Sequence, residues 1–172
     1  LTMPSNPVGN RSSTYRVSVA TFDGVPLTGP VTLTVTNPLN QVSVLCVAAV
    51  TNGSGSCSGA LMVGTNLINA KFNNGAYIGD SGATGLKVLG VSTNVTKVKG
   101  SGSKRKVDLS GKTYKGKQTV TVYKRKNGKT TKIATTTSSK HGNWSRKGLK
   151  VGGGDVYVFS KLKKMVSNKA KV

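Results

Sequence analysis

The chain has 172 residues and a formal net charge of +22, with 26 Lys and Arg against four Asp and no Glu. No apolar run reaches the roughly 18 residues that a membrane-spanning helix needs, and Gly, Thr, Ser, Asn and Val make poor helices but good strands and turns. The charge is lopsided. Residues 1–96 carry Arg11, Arg16, Lys71 and Lys87 against Asp23 and Asp80, a net +2, whereas residues 97–172 carry the other 22 cations against Asp108 and Asp155, a net +20.

In chain order, "LTMPSNPVGN" has neither the basic start nor the apolar centre of a secretory signal and does not begin with Met, so a processed chain or a piece of a longer one is expected. In "STYRVSVATF", Tyr15, Val17 and Val19 alternate with Arg16 and Ser18. In "VTLTVT", Val31, Leu33 and Val35 alternate with Thr32, Thr34 and Thr36. Both runs predict half-buried strands, separated by the turn-rich "DGVPLTGP". Further strands are expected in "QVSVLCVAAV", in "CSGALMV", in "NLINAKF" with Ile68, Ala70 and Phe72 on one face, and in "LKVLGVS". Cys46 and Cys57 flank a turn at "TNGSG", so they fall on the two strands of one hairpin. They are either a disulfide of an oxidising, extracellular setting or two small buried hydrophobes of a reducing one; the geometry suits the bridge. At this spacing they cannot form the long-range core disulfide of antibody domains.

"KVKGSGSKRK", residues 97–106, reads as a Gly-Ser hinge, which divides the chain into domains 1–97 and 98–172. Beyond it, "KVDLSGK" predicts a short strand. "QTVTVYKRKNGKTTKIATTT" predicts a hairpin on a type I′ turn at Asn127-Gly128, which pairs Lys126 with Lys129, Tyr123 with Lys132, and Val122 with Ile133 in the core. "NWSRKGLKV" needs a bulge near Gly148, because strict alternation would send Trp144 and Leu149 to opposite faces. "VYVFSKLKKMV" and "NKAKV" supply the last strands after a "GGGD" turn. Short strands with turn signals every 8 to 12 residues or so are the pattern of β-sandwiches, and each half has only a small core.

Residues 10–97 contain "GVPLTGPVTLTV" and "NGSGSCSGALMVGTNLINAKFNNGAYIGDSGA". This string resembles the bacterial immunoglobulin-like (Big-type) repeat in its strand entry, its Cys-bearing return strand, its "GTNLINAKF" strand and its "YIGDSG" corner. Residues 107–172, with "VTVYKRKNGKTTKIATTTSSKHGNWS" and "VYVFS", resemble a more divergent sandwich of the same kind. The resemblance implies an all-β chain of two tandem immunoglobulin-like β-sandwich domains, serving as spacer, adhesin stalk, carbohydrate-binding appendage, pilus or surface-layer part, or phage decoration. The lysine density of the second domain departs from the family. Surface domains of this kind in Gram-positive bacteria sometimes cross-link a Lys to an Asn, which here would join Lys106 to Asn168 beside Asp155 or Asp108.

Catalytic chemistry has little to work with. His141 sits in a turn-like "SSKHGNWS", the four Asp are dispersed, and one His with two Cys is too few ligands for a zinc or iron site. No clustered oxygens suit calcium. The GKT of "SGKTYKGK" fails as a phosphate-binding loop because Lys106 stands where the first Gly is required. No cofactor and no enzyme activity are expected.

A net +20 on about 75 residues repels itself and is tolerable beside something negative. The expected contacts are Lys104, Arg105, Lys106, Lys124, Arg125, Lys126, Lys129, Lys132, Lys161, Lys163 and Lys164. With 19 Lys to 3 Arg and few aromatics for stacking beyond Tyr114 and Tyr123, the pattern favours diffuse charge contact over sequence-specific nucleic-acid recognition. The expected partner is an anionic polymer or acidic protein surface: a cell-wall glycan, a capsid or a neighbouring subunit. The expected function is extracellular adhesion or structure at the bacterial cell surface. Alternatives are a filament or virion subunit, self-associating as a homo-oligomer, and the accessory region of a longer secreted enzyme.

Overall fold

The expected runs form strands in the computed structural model, which describes all 172 residues, although "CSGALMV" is strand only to Ala60 and "LKVLGVS" only to Val88. The strands divide between two units, Leu1–Val88 and Leu89–Val172. Unit 1 holds β1 (Ser12–Ser18), β2 (Gly29–Thr36), β3 (Val42–Val50), β4 (Ser54–Ala60), β5 (Gly64–Asn73), β6 (Ile78–Asp80) and β7 (Thr84–Val88). Unit 2 holds β8 (Asn94–Lys99), β9 (Lys106–Lys112), β10 (Thr119–Lys126), β11 (Lys129–Thr137), β12 (Asn143–Lys150), β13 (Val156–Leu162), β14 (Met165–Val166) and β15 (Ala170–Lys171). All pairings are antiparallel. The chain is all-β, with two tandem β-sandwiches.

In unit 1 a β1-β4 pair faces a sheet ordered β3-β2-β5, with β6 and β7 sharing the far edge of β5. Alternation turns Tyr15 and Val17, Val31, Leu33 and Val35, and Ile68, Ala70 and Phe72 into one core. Cys46 on β3 and Cys57 on β4 form a disulfide, their Cα atoms 5.9 Å apart. The two strands are consecutive but belong to different sheets, so the bridge closes a corner between sheets instead of a flat hairpin.

In unit 2 a three-stranded sheet, β12-β9-β8, faces β11-β10-β13, with β14 and β15 sharing the far edge of β13. Val107, Leu109, Trp144, Val120, Val122, Val156, Val158 and Leu162 fill the space between them. The Trp144 indole N–H donates to the Ser92 carbonyl at 3.2 Å. Buried hydroxyls close the core without leaving a polar group empty: Thr93 Oγ1 lies 2.6 Å from Ser160 Oγ and 2.8 Å from Ser167 Oγ.

The Gly-Ser segment is not a hinge between domains. The units part at Val88/Leu89, nine residues before the expected seam, and β8 pairs with β9 through Val98–Val107 and Lys99–Lys106. "GSGSKR" is therefore the tight connection of a hairpin inside unit 2, with Gly100 at φ 70° and Gly102 at φ 51°. The region 89–96 carries no charge, so the split of +2 and +20 is unchanged.

The Asn127-Gly128 hairpin forms with Lys126 opposite Lys129 and Tyr123 opposite Lys132, both turn residues having positive φ. Val122, however, pairs with Ala134: a bulge inserts Ile133, which still packs against the core. The bulge at Gly148 is present, and the Gly148 N–H donates to Asp108 Oδ1 at 2.7 Å.

A candidate polyanion-docking surface

The strand registers of unit 2 sort the expected cations into three groups. β8 ends at Lys99, β9 begins at Lys106, β12 ends at Lys150, and Lys126 of β10 pairs with both Lys129 and Val156. All these termini lie at one pole, because Lys124 Nζ donates to the Val151 carbonyl at 3.4 Å, joining the tip of one sheet to the end of the other.

Two hollows open at this pole. One, about 490 Å³, is lined by Lys99, Lys104, Lys106, Lys150, Gly100 and Ser103. Lys106 is directly opposite Lys99 on one side and Lys150 on the other, a row of three like charges across three adjacent strands. The second, about 340 Å³, is lined by Lys124, Lys126, Lys129, Asn127 and Thr131. Lys99 and Lys150 were not among the residues expected from sequence; only the register reveals that they flank Lys106.

Arg105 is different from its neighbours. Its guanidinium donates to the Gly152 carbonyl at 2.8 Å, the Val172 carbonyl at 3.2 Å and the Gly154 carbonyl. Its own carbonyl accepts from Val151 and Gly152 at 3.0 and 3.3 Å. A half-buried fork with three of its five donors on carbonyls clamps the "GGGD" turn and the last residue. Gly153 packs here against Gly102, so that a Cβ on Gly153 would meet the Gly102 backbone at 3.0 Å.

Arg125, Lys132 and Lys161 lie on the outward face of the larger sheet, in register with aromatic residues: Lys132 opposite Tyr123, Arg125 opposite Tyr157, Lys161 next along the strand from Phe159's row. Tyr123 stacks on Phe159 with centroids 5.5 Å apart, and Lys161 Nζ lies 5.2 Å from the Tyr123 centroid. Lys115 Nζ lies 5.5 Å from the Tyr114 centroid. Both tyrosines named as stacking candidates are thus already engaged within the chain. Lys163 and Lys164 occupy the β13–β14 turn at the opposite pole and are exposed.

The other chemistry-bearing groups are dispersed. Asp80 meets Lys71 at 3.8 Å, Asp155 meets Lys171 at 3.0 Å, Asp108 holds the Gly148 bulge, and Asp23 accepts from Thr21. The Thr21 hydroxyl holds the Asp23 carboxyl below its ordinary range, and Asp155 holds the Lys171 ammonium above its own. His141 is exposed in the β11–β12 turn, and no three His, Cys, Asp or Glu cluster as metal ligands. The two residues of the expected Lys–Asn cross-link have other neighbours. Lys106 is exposed among lysines, Asp155 is exposed, and Asn168 is occupied with Thr93, donating at 2.8 Å and accepting at 3.0 Å. A hollow of about 640 Å³ between β9, β11 and β12 is lined mainly by Ser, Thr and Asn, with Gly111, Trp144 and one charge, Lys112.

No protein-family model and no curated protein matches the chain. Among solved structures it is similar to the tetra-tandem repeat in the extending region of a large adhesion protein, at 18% identity and a TM-score of 0.36 over 94% of this chain and 50% of that one. It is also similar to the BSP domain of a biofilm-associated protein, at 15% identity and a TM-score of 0.35, covering 97% and 28% of the two chains. A third is Salmonella alpha-2-macroglobulin reacted with methylamine, at 14% identity and 0.35, covering 95% and 13%. The chain spans half or less of each of these proteins. No helix is long and apolar enough to cross a membrane.

Proposed function

We propose that the chain is a non-enzymatic, extracellular structural or adhesive protein of bacterial immunoglobulin-like kind, whose unit 2 docks on an anionic polymer at a cell surface. The observation that supports this is the concentration of a net +20 on unit 2 with most of its cations exposed, gathered into hollows at one pole and spread over the outer sheet face. Such a field attracts polyanions at long range, is screened by salt, and gains from releasing their counterions. Lysines on flexible stems favour contact with many spaced charges over bidentate reading of one group. The disulfide of unit 1 suits an oxidising exterior. The reading does not rest on the likeness to the adhesion-protein repeats.

The test is retention of the intact chain on an immobilised anionic cell-wall polymer and on a neutral glycan of similar length. Retention on the first alone, lost at moderately high salt, is expected; equal behaviour on both would overturn the reading.

One observation favours self-assembly as a second reading. β3 is a sheet edge with no charged residue, and Val42, Val44 and Val47 are 71%, 62% and 55% exposed along it. β4 lies against the second half of β3 at the Leu45 and Ala49 carbonyls, but the first residues of β3 leave an uncharged, apolar edge that can pair with the same strand of a second copy. In a chain this basic, two copies meet there without bringing like charges together. Concentration-dependent light scattering that vanishes in Val44→Lys supports that reading; a monomer at every concentration sinks it.

A further inference from the structure

The lysines of unit 2 are usually what a solvated face would carry, but the row Lys99–Lys106–Lys150 is not an ordinary distribution of them. In an antiparallel sheet, directly opposite residues have their Cβ atoms only about 4.5–5.5 Å apart, and like charges so placed oppose folding. Here three stand in one row, Lys104 joins them from the connecting turn, and no carboxylate lines the hollow they share. The floor is fixed. The Arg105 clamp, the two Arg105 carbonyl contacts and the Gly102–Gly153 packing hold the turn against the neighbouring loop.

We infer that Lys99, Lys104, Lys106 and Lys150, with the Ser103 hydroxyl, form one discrete site for a phosphoryl group bearing several negative charges. This rests on the docking reading and sharpens it, from a diffuse field to a particular chemistry. Four ammonium groups, each with three donors, match a ligand that packs many acceptor oxygens and at least two charges into a small volume. Phosphoryl groups do so. Carboxylate polymers spread single charges along a chain and fill the hollow poorly. Free pyrophosphate presents this chemistry; a phosphodiester polymer carries one charge per phosphate, spaced along its chain, and presents it only at a terminal phosphomonoester.

The experiment is isothermal titration of the intact chain with inorganic pyrophosphate and, in a second arm, with poly(glycerol phosphate), using two charge-matched double variants. Lys99→Gln with Lys106→Gln empties the row; Lys163→Gln with Lys164→Gln removes the same charge from the opposite pole. All four side chains are exposed, so both variants are expected to fold, checked by unchanged thermal transitions. The site predicts one pyrophosphate per chain, weakened about tenfold or more in the row variant and less than about twofold in the other, a difference of about 1.4 kcal/mol per tenfold. If only the polymer distinguishes the variants, the row reads spaced single charges along a chain and the multiply charged site is overturned; if pyrophosphate distinguishes them, the free anion suffices. Equal weakening by both pairs overturns the discrete site while leaving diffuse docking intact. Absence of any binding to either anion overturns both.

Discussion

Units 1 and 2 are sandwiches of seven and eight strands built on the same alternation, yet they hold together and face solvent in different ways. Unit 1 is almost neutral and ties its sheets with Cys46–Cys57. Unit 2 has no disulfide, carries ten times the net charge, and relies on Trp144, a buried Thr93–Ser160–Ser167 hydroxyl cluster and the Arg105 clamp. The difference teaches that the inward half of each strand fixes the fold while the outward half is free. On β9, Val107 and Leu109 face the core, and the alternate positions Lys106, Asp108 and Lys112 were available for charge.

The largest expected effect separates the units outright. Trp144→Ala should destabilise unit 2 by about 3–5 kcal/mol, through lost burial and an indole-shaped cavity, and leave unit 1 unchanged. Scanning calorimetry resolves this as one transition moving and one staying; both moving together would mean the units unfold as one. Replacing Cys46 and Cys57 by Ser is the converse, costing about 2–4 kcal/mol in unit 1 alone.

Arg105 tests whether charge in unit 2 is structural or functional. Arg105→Gln leaves carbonyls of Gly152, Gly154 and Val172 without their donor and should cost about 1–3 kcal/mol, whereas Lys104→Gln, one residue away, should be neutral in denaturant titration. Equal effects would mean that Arg105 is no more structural than its neighbour.

Tyr15 gives a smaller effect of opposite sign. Its ring is fully buried in unit 1 and its hydroxyl has no hydrogen-bond partner, so Tyr15→Phe should stabilise by about 1 kcal/mol. Burial raises the Tyr15 pKa above its ordinary 10.0. The contribution of the neutral phenol is therefore complete below that ordinary value and is lost as pH rises through the shifted one. Alkaline denaturation of unit 1 should accordingly be less steep in Tyr15→Phe. The smallest effect is a modest rise of the unit 2 midpoint as salt screens its self-repulsion, with unit 1 nearly indifferent.

Much of this fold is written in short-range pattern. The Asn127-Gly128 turn and the Gly148 bulge are readable because a positive φ and a broken alternation each leave a local mark. Nothing local marks the second bulge, because the runs on both sides alternate cleanly, and alternation alone puts Ile133 opposite Val122. The boundary at Val88/Leu89 is hidden for the opposite reason. Val88, Leu89 and Val91 are buried, so the border looks like a strand, while the Gly-Ser turn that looks like a linker is a hairpin.

The charge of the candidate site was plain in the composition, but its arrangement was not. Lys99 and Lys150 lie 51 residues apart in sequence and flank Lys106 only through the β8-β9-β12 register. Arg105 reads as one more cation in a basic run, because the carbonyls it satisfies belong to a turn and a terminus distant in sequence.

The most direct measurement is hydrogen–deuterium exchange of the intact chain with and without a saturating anionic polymer at low salt. Docking by unit 2 predicts new protection in the β8–β9 turn, the β10–β11 tip and the Val151–Asp155 loop, reversed by added salt, with unit 1 amides unchanged. Protection confined to unit 1, or no protection in a polymer-bound chain's unit 2, would contradict it.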